Sequence, residues 1–402
     1  MTGSAQSGSL AGLKVVEMGS FIAGPFCGQL LADQGADVIK IEPPARGDAM
    51  RQWGAVQHEG KSLWWPVIAR NKRSLTLDLR KPAGAEIAAQ LLAQADILVE
   101  NFRPGTLEKW GMAPALLQER NPELIIARVS GFGQTGPYAK RVGFGAIAEA
   151  MAGMRAIGGF PDRPPPRTGL SIGDSLAGMF TTIGILSALN ARRETGRGQI
   201  VDVGITDAVL GVMESVVSEH SATGAVRQRV GTGLPGIAPS NLYPTLDDAW
   251  ILIAGNGDAI FRRLAAVMGE PQLSDDPRFA SHRARGEHQQ ELDGIVAGWT
   301  RNRSLADLLV LLEENGIPAG PVADAAELSQ NAHFRERGAL VEIDTPDYGA
   351  LTMQGVVPRL SETPGAIRWV GPTLGEHTDQ VLAGDLGLEP EAIASLRNLG
   401  IV

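Results

Sequence analysis

Leu13–Glu42 reads LKVVEMGSFIAGPFCGQLLADQGADVIKIE. Leu13–Met18 is a short apolar-rich strand. Ala23–Gly35 follows as a helix, with Pro25 near its start, where a missing N–H costs little. Ala36–Glu42 (ADVIKIE) is the next strand. Working outward, Ser74–Leu79, Asp96–Val99 and Leu124–Val129 read as further strands, with a helix over Ala83–Ala95. Short apolar strands alternating with helices predict an α/β fold, a mostly parallel sheet with helices on its faces.

Beyond these come a Pro-rich bend, Pro161–Arg167 (PDRPPPR), and a long apolar helix from Ser175 to about Arg193. A turn at Thr195–Gln199, a strand at Ile200–Ile205 and a helix over about Ala208–Glu219 follow. From about Ala222 the character changes. Gly231–Pro239 (GTGLPGIAP) is a Gly/Pro-rich loop, a hairpin includes Trp250–Ile253, and helices run to about Asn315. Three segments are expected: 1–221 in a large domain, 222–325 as a smaller α+β domain, and 326–402 completing the large one. The last has strands near Leu340–Ile343 and Leu351–Gln354, then a helix at Glu389–Leu399. There is no internal repeat.

The composition removes several function classes. Net charge is −9, with no long Lys/Arg run, so no nucleic-acid partner is expected. A single cysteine, Cys27, rules out an intramolecular disulfide and a multi-Cys metal site. The first residues lack a basic segment followed by an apolar run, so they do not read as a signal peptide. No run of ~18 apolar residues suggests a membrane span. The chain is expected to be soluble and cytoplasmic, without a membrane partner. Gly19–Gly24 is not G-x-G-x-x-G, and there is no P-loop, no H-E-x-x-H and no G-x-S-x-G, so nucleotide, zinc-protease and hydrolase readings lack support.

Ser171–Ser175 (SIGDS) brings a carboxylate, Asp174, to the start of the apolar helix. One reading is an N-cap. The other uses the same geometry: a helix N-terminus favours the ionised carboxylate, which can attack an activated acyl group.

The chain resembles class III CoA-transferases, the CaiB/BaiF family, from about Leu10 to the C-terminus. The carriers are Ala23-Gly24-Pro25, ADVIKIE at Ala36–Glu42, NKRS at Asn71–Ser74, VENF at Val99–Phe102 with Pro104-Gly105, Gly173-Asp174, TGRGQ at Thr195–Gln199, and LGEHT at Leu374–Thr378. Their order and spacing over the whole chain are specific. The resemblance implies a Rossmann-like large domain, a smaller α+β domain and an interlocked homodimer. It makes Asp174 the covalent nucleophile, coenzyme A the co-substrate with no permanently bound cofactor and no metal, and acyl-CoA and carboxylic acids the substrates. Likeness to formyl-CoA transferases implies a CoA pocket at Ile22, Ala23, Leu77, Asp78, Arg80, Asn101, Phe102, Arg103 and Lys109. Arg80, Arg103 and Lys109 suit the phosphates, and Arg46 stands in for a CoA-contacting arginine where this chain has Pro43.

The departures narrow the expectation. Family racemases carry a His base where Phe144 stands, and an acidic residue where Gly145 stands. Phe144 cannot exchange a proton, so acyl exchange is favoured over racemisation. Glu149 and Gly145 are nearby candidates to meet substrate, and Arg167 could hold a distal carboxylate. Gly231–Asn241 replaces the longer glycine lid of formyl-CoA transferases and is a candidate lid. Cys27 and His377 read as structural, Asn256 as a turn. The expected reaction moves CoA from succinyl-CoA to a small dicarboxylate. An acyl-CoA racemase or a non-catalytic CoA-binding subunit are the alternatives.

Overall fold

A computed structural model describes residues 8–402. Residues 1–7, which carry most of the reading on a signal peptide, lie outside the described residues. The chain divides into two units. One comprises the chain up to Ala152, then Thr168–Met213 and Asn331–Val402; the other comprises Gly153–Arg167 and Glu214–Gln330.

In the first unit, β1 (Lys14–Met18), α1 (Ala23–Asp33), β2 (Asp37–Glu42), β3 (Lys72–Thr76), α2 (Pro82–Leu92), β4 (Ile97–Glu100) and β5 (Ile125–Ser130) come in order. α3 (Gly145–Met151), α4 (Ile172–Thr195), β6 (Ile200–Gly204) and α5 (Ile205–Leu210) follow. The six strands form one sheet in the order β3-β2-β1-β4-β5-β6, and every pairing is parallel. This is the strand order of doubly wound dinucleotide-binding folds, whose ligands sit where the order reverses, here between β1 and β4.

Strand periodicity explains the layers. Neighbouring side chains point to opposite faces. Val16, Ile39, Leu98 and Ile126 join α2 on one face, closed by the C-terminal Val381, Leu382, Ile393 and Ile401. Val15, Val38, Ile97 and Ile125 join Cys27 and Leu31 of α1 and Ile185 of α4 on the other. Both faces are covered, so the strands read as almost continuous apolar runs.

Two helices differ from expectation. α4 starts at Ile172, with Ser171 as its N-cap residue and Asp174 inside its first turn. Asp174 is therefore not the cap. By length and composition α4 could cross a membrane, against the expectation that no such stretch exists. It packs on α1, β5, β6 and α5. Gly178 permits this, because a Cβ there would lie 2.9 Å from the Ala23 carbonyl oxygen. The helix expected over Ala208–Glu219 is two, Ile205–Leu210 and Val216–Thr223. The break falls where the chain passes from one unit to the other.

The second unit holds β7 (Ser240–Pro244), β8 (Trp250–Ala254) and β9 (Ala319–Pro321) in an antiparallel sheet. Helices α6 (Asp258–Val267), α7 (Gln289–Thr300) and α8 (Leu305–Glu314) cover Ile251 and Ile253 through Phe261, Leu292 and Leu308. The expected boundaries near 222 and 325 shift to Glu214 and Gln330, and Gly153–Arg167, placed above in the large domain, lies in this unit. Hydrogen bonds fix that segment: Gly231 N–H donates to Gly159 O at 3.0 Å, and the Arg229 guanidinium donates to the carbonyls of Phe160, Pro161 and Arg163.

Candidate active site

Gly19 follows β1 and Asn101 follows β4, at the reversal of strand order. The Asn101 amide joins the two loops. Its Nδ2 donates to Ser20 O at 2.7 Å, and its Oδ1 accepts from Ser20 N–H at 3.0 Å. Gly19 has φ +118°, and a Cβ there would lie 1.8 Å from Asn101 Oδ1.

Beside these loops is a groove of about 120 Å³. Arg46, Leu77, Asp78, Arg80 and Phe102 line it with Ser20 and Trp110. Leu79, Arg80 and Trp110 also border a second hollow of about 240 Å³, which holds Lys109 and Arg120. Arg80 is 68% exposed and grips Asp78 through Nε–Oδ1 and Nη2–Oδ2 contacts of 2.8 and 2.9 Å. That grip holds the Asp78 carboxyl below its ordinary range. Phe102 packs edge-on against Trp110 at 5.0 Å, and its N–H donates to Glu100 at 2.7 Å. Burial raises the Glu100 carboxyl to about 7 although Arg128 donates to it.

The other expected pocket residues, Ile22, Ala23, Asn101 and Arg103, line neither hollow. Ile22 and Ala23 are buried at the start of α1, Ile22 among Met50, Trp65 and Ile68. The Asn101 amide is spent on Ser20. Arg103 is exposed and lines neither hollow. Trp110 was missed, because no spacing rule ties it to Phe102.

Beneath the loops lies a buried ion network. Lys40 Nζ contacts Glu17 and Asp48, each at 2.8 Å, and Lys72 Nζ contacts Glu17 at 2.7 Å. Glu42 is held bidentately by Arg51 and accepts from Ser74 Oγ and Asp48 N–H. Burial opposes the charge on Glu17 and Glu42, yet their cations hold both carboxyls below the usual range. His377 serves the same strands structurally: its Nδ1 accepts from Ser74 N–H at 3.3 Å, and burial lowers its pKa. Cys27 is buried, its thiol pushed up to about 12 by burial.

Asp174 stands half-buried in the first turn of α4. A Cβ on Gly145, the first residue of α3, would lie 2.2 Å from Asp174 Oδ2 and 2.7 Å from its Cγ. The carboxylate thus rests on the bare Cα of Gly145. Gly173 completes the close approach, since its Cβ would lie 3.1 Å from Gly145 O. Glu149, one turn along α3, is 1% exposed, whereas Phe144 at the α3 N-cap is 61% exposed. An ionised carboxylate at a helix N-terminus, beside a glycine, can serve as a nucleophile.

In the second unit, Arg167 is exposed at the end of the Pro-rich segment. The Asn256 carbonyl accepts from buried Arg285 at 2.7 Å, as a held turn. The Gly231–Asn241 loop is tied by Gln289, which donates to Leu234 O and Ile237 O and accepts from Gly236 N–H.

A sequence model of CoA-transferase family III matches residues 10–378. The chain belongs to CoA-transferase family III. It is 53% identical, over 96% of both chains, to a succinyl-CoA–D-citramalate CoA-transferase of Chloroflexus aurantiacus. It is 40% identical, over the full length of both, to a succinyl-CoA–L-malate CoA-transferase beta subunit of the same organism. The crystal structure of a CaiB/BaiF family protein from Brucella suis superposes with TM-score 0.83 at 35% identity, covering 94% of this chain and all of that one. The protein is thus a class III CoA-transferase with coenzyme A as co-substrate. Among the described residues no cluster of three metal-ligating side chains occurs.

Proposed function

We propose that this enzyme transfers CoA from succinyl-CoA to a small dicarboxylic acid, with Asp174 as the covalent nucleophile. The observation that carries the reading is the Asp174 carboxylate, in the first turn of α4 and against Gly145. Its oxygen attacks the succinyl thioester carbon and releases CoA thiolate, leaving a mixed anhydride. The thiolate attacks the aspartyl carbonyl carbon, freeing succinate and leaving an aspartyl-CoA thioester. The acceptor carboxylate attacks that thioester and expels the thiolate. The thiolate then attacks the acceptor's acyl carbon, giving the new acyl-CoA and restoring Asp174. N–H groups at the α4 N-terminus, which lack partners within the helix, are suited to stabilise the oxyanions.

The CoA phosphates are assigned to Arg46, Arg80 and Lys109, which border the groove beside the strand-order reversal and the hollow adjoining it. The 53% identical relative is named for D-citramalate, so methyl-branched hydroxy dicarboxylates are the first acceptors to test. We also propose a homodimer working in the cytoplasm. The open apolar stripe of α4, Met179, Phe180, Ile183 and Leu186, supports the dimer. A single buried cysteine needs no oxidising compartment.

Intact-mass measurement after mixing with succinyl-CoA tests the mechanism. Wild type gains a CoA-sized adduct. Asp174→Ala gains none and loses turnover, yet melts close to wild type. Near-normal exchange by Asp174→Ala overturns the proposal.

A further inference from the structure

Three aromatic side chains stand open to solvent in a chain that starts beside Gly145 in the first unit, although such rings are normally buried. Phe144 is 61% exposed, Trp53 44% and Phe21 37%. They form a chain of edge contacts, with Phe21–Phe144 centroids at 6.3 Å and Phe21–Trp53 at 5.5 Å. Phe144 directly precedes Gly145, on whose Cα the Asp174 carboxylate rests.

The arrangement is built. Phe21 has φ +68°, in the left-handed region that a bulky residue seldom adopts. Its N–H donates to Asp48 Oδ1 at 3.2 Å. Asp48 is 1% exposed and held by Lys40. The same Oδ1 accepts from Met50 N–H at 2.9 Å, capping the short turn Ala49–Gln52 that leads to Trp53. One buried carboxylate thus fixes the backbone beneath two of the three rings. Strain held by a buried network is a mark of function.

We propose that Phe21 and Phe144, with Trp53 behind Phe21, form the wall on which the hydrocarbon body of the transferred acyl group rests, and that this wall sets the size of acid the enzyme accepts. The inference rests on Asp174 being the nucleophile. The faces of the Phe21 and Phe144 rings carry negative charge that disfavours a carboxylate, and they pack well on methylene and methyl groups. The wall therefore favours a compact acid that turns carbon toward it and its second carboxylate away. A pocket of this kind discriminates one methylene by about 10–200-fold.

The test uses the full chain with succinyl-CoA as donor and a series of four- to six-carbon dicarboxylic acids, unbranched and methyl-branched, as acceptors. Wild type, Phe144→Ala and Phe21→Ala are compared by kcat/KM for each acid, with calorimetric binding of free CoA as control. Phe144 is mostly exposed, so its truncation leaves the fold intact even if Phe21→Ala does not fold. The expected result is at least a tenfold change in preference toward the bulkier acids in Phe144→Ala, with CoA affinity within twofold of wild type. An equal fall for every acid, or an unchanged ranking, overturns the wall. If wild type forms the CoA adduct while the ranking stays fixed, only the wall fails. If wild type forms no adduct, the nucleophile reading fails with it.

Discussion

Asp174 and Gly145 depend on each other's shape. A methyl group at position 145 would meet the carboxylate at 2.2 Å, so Gly145→Ala must displace the proposed nucleophile. Misplacing a reacting group by about 1 Å can cost on the order of 100-fold in rate. The expected outcome is a kcat lowered by about that factor, with CoA binding and melting temperature close to wild type; calorimetry beside steady-state kinetics checks it. The sequence offered the carboxylate and the glycine but not their contact. Residues 145 and 174 lie on different helices, and only packing through Gly173 and Gly145 brings them together. Reading Asp174 as a cap placed the helix start three residues late. Ser171 is the N-cap residue, and Ile172-Gly173 gave no helical signal of their own.

At the scale of elements, the parallel sheet was legible because its strands are apolar runs separated by helical spacing. The charged residues inside those runs were the overlooked signal. Lys40 within ADVIKIE, and Lys72 in the next strand, are buried beside Glu17. β4 carries a pH dependence through its last residue, Glu100. Its folded value of about 7 lies above the ordinary glutamate value of 4.5. Between the two, the unfolded chain has lost a proton that the folded chain keeps. This carboxyl therefore lowers stability as pH rises through that window, and its full cost is present above about 7. Glu17 and Glu42 act oppositely, adding stability that is lost as pH falls through the acid range. Glu100→Gln should remove only the first effect. Denaturant titrations from pH 4 to 8 should show the variant gaining on wild type as pH rises to 7, then holding its lead. A constant difference would contradict the assignment.

At the scale of the whole molecule, the six-stranded order and the return of the C-terminal segment to the first unit define the architecture. The change of character near residue 222 was visible in composition. The membership of Gly153–Arg167 in the second unit was not, because it depends on hydrogen bonds to Arg229 and Gly231, about 70 residues away. The proposed dimer makes its own prediction. Light scattering should give twice the 42.4 kDa chain mass, and Ile183→Glu, a charge on the open α4 stripe, should reduce that mass or prevent soluble assembly. A wild-type chain that runs as a monomer at micromolar concentration would count against the dimer.

The joint between Gly19 and Asn101 has an evolutionary consequence. The space a side chain at 19 would need is already occupied by the amide that binds the Ser20 backbone. Neither position is free to drift alone. Enlarging 19 forces the amide out, and shortening 101 unties the loop before any larger residue can profit. The two sites should therefore change together or not at all, and a mutational scan would show Gly19→Ala tolerated better in an Asn101→Gly background than in wild type.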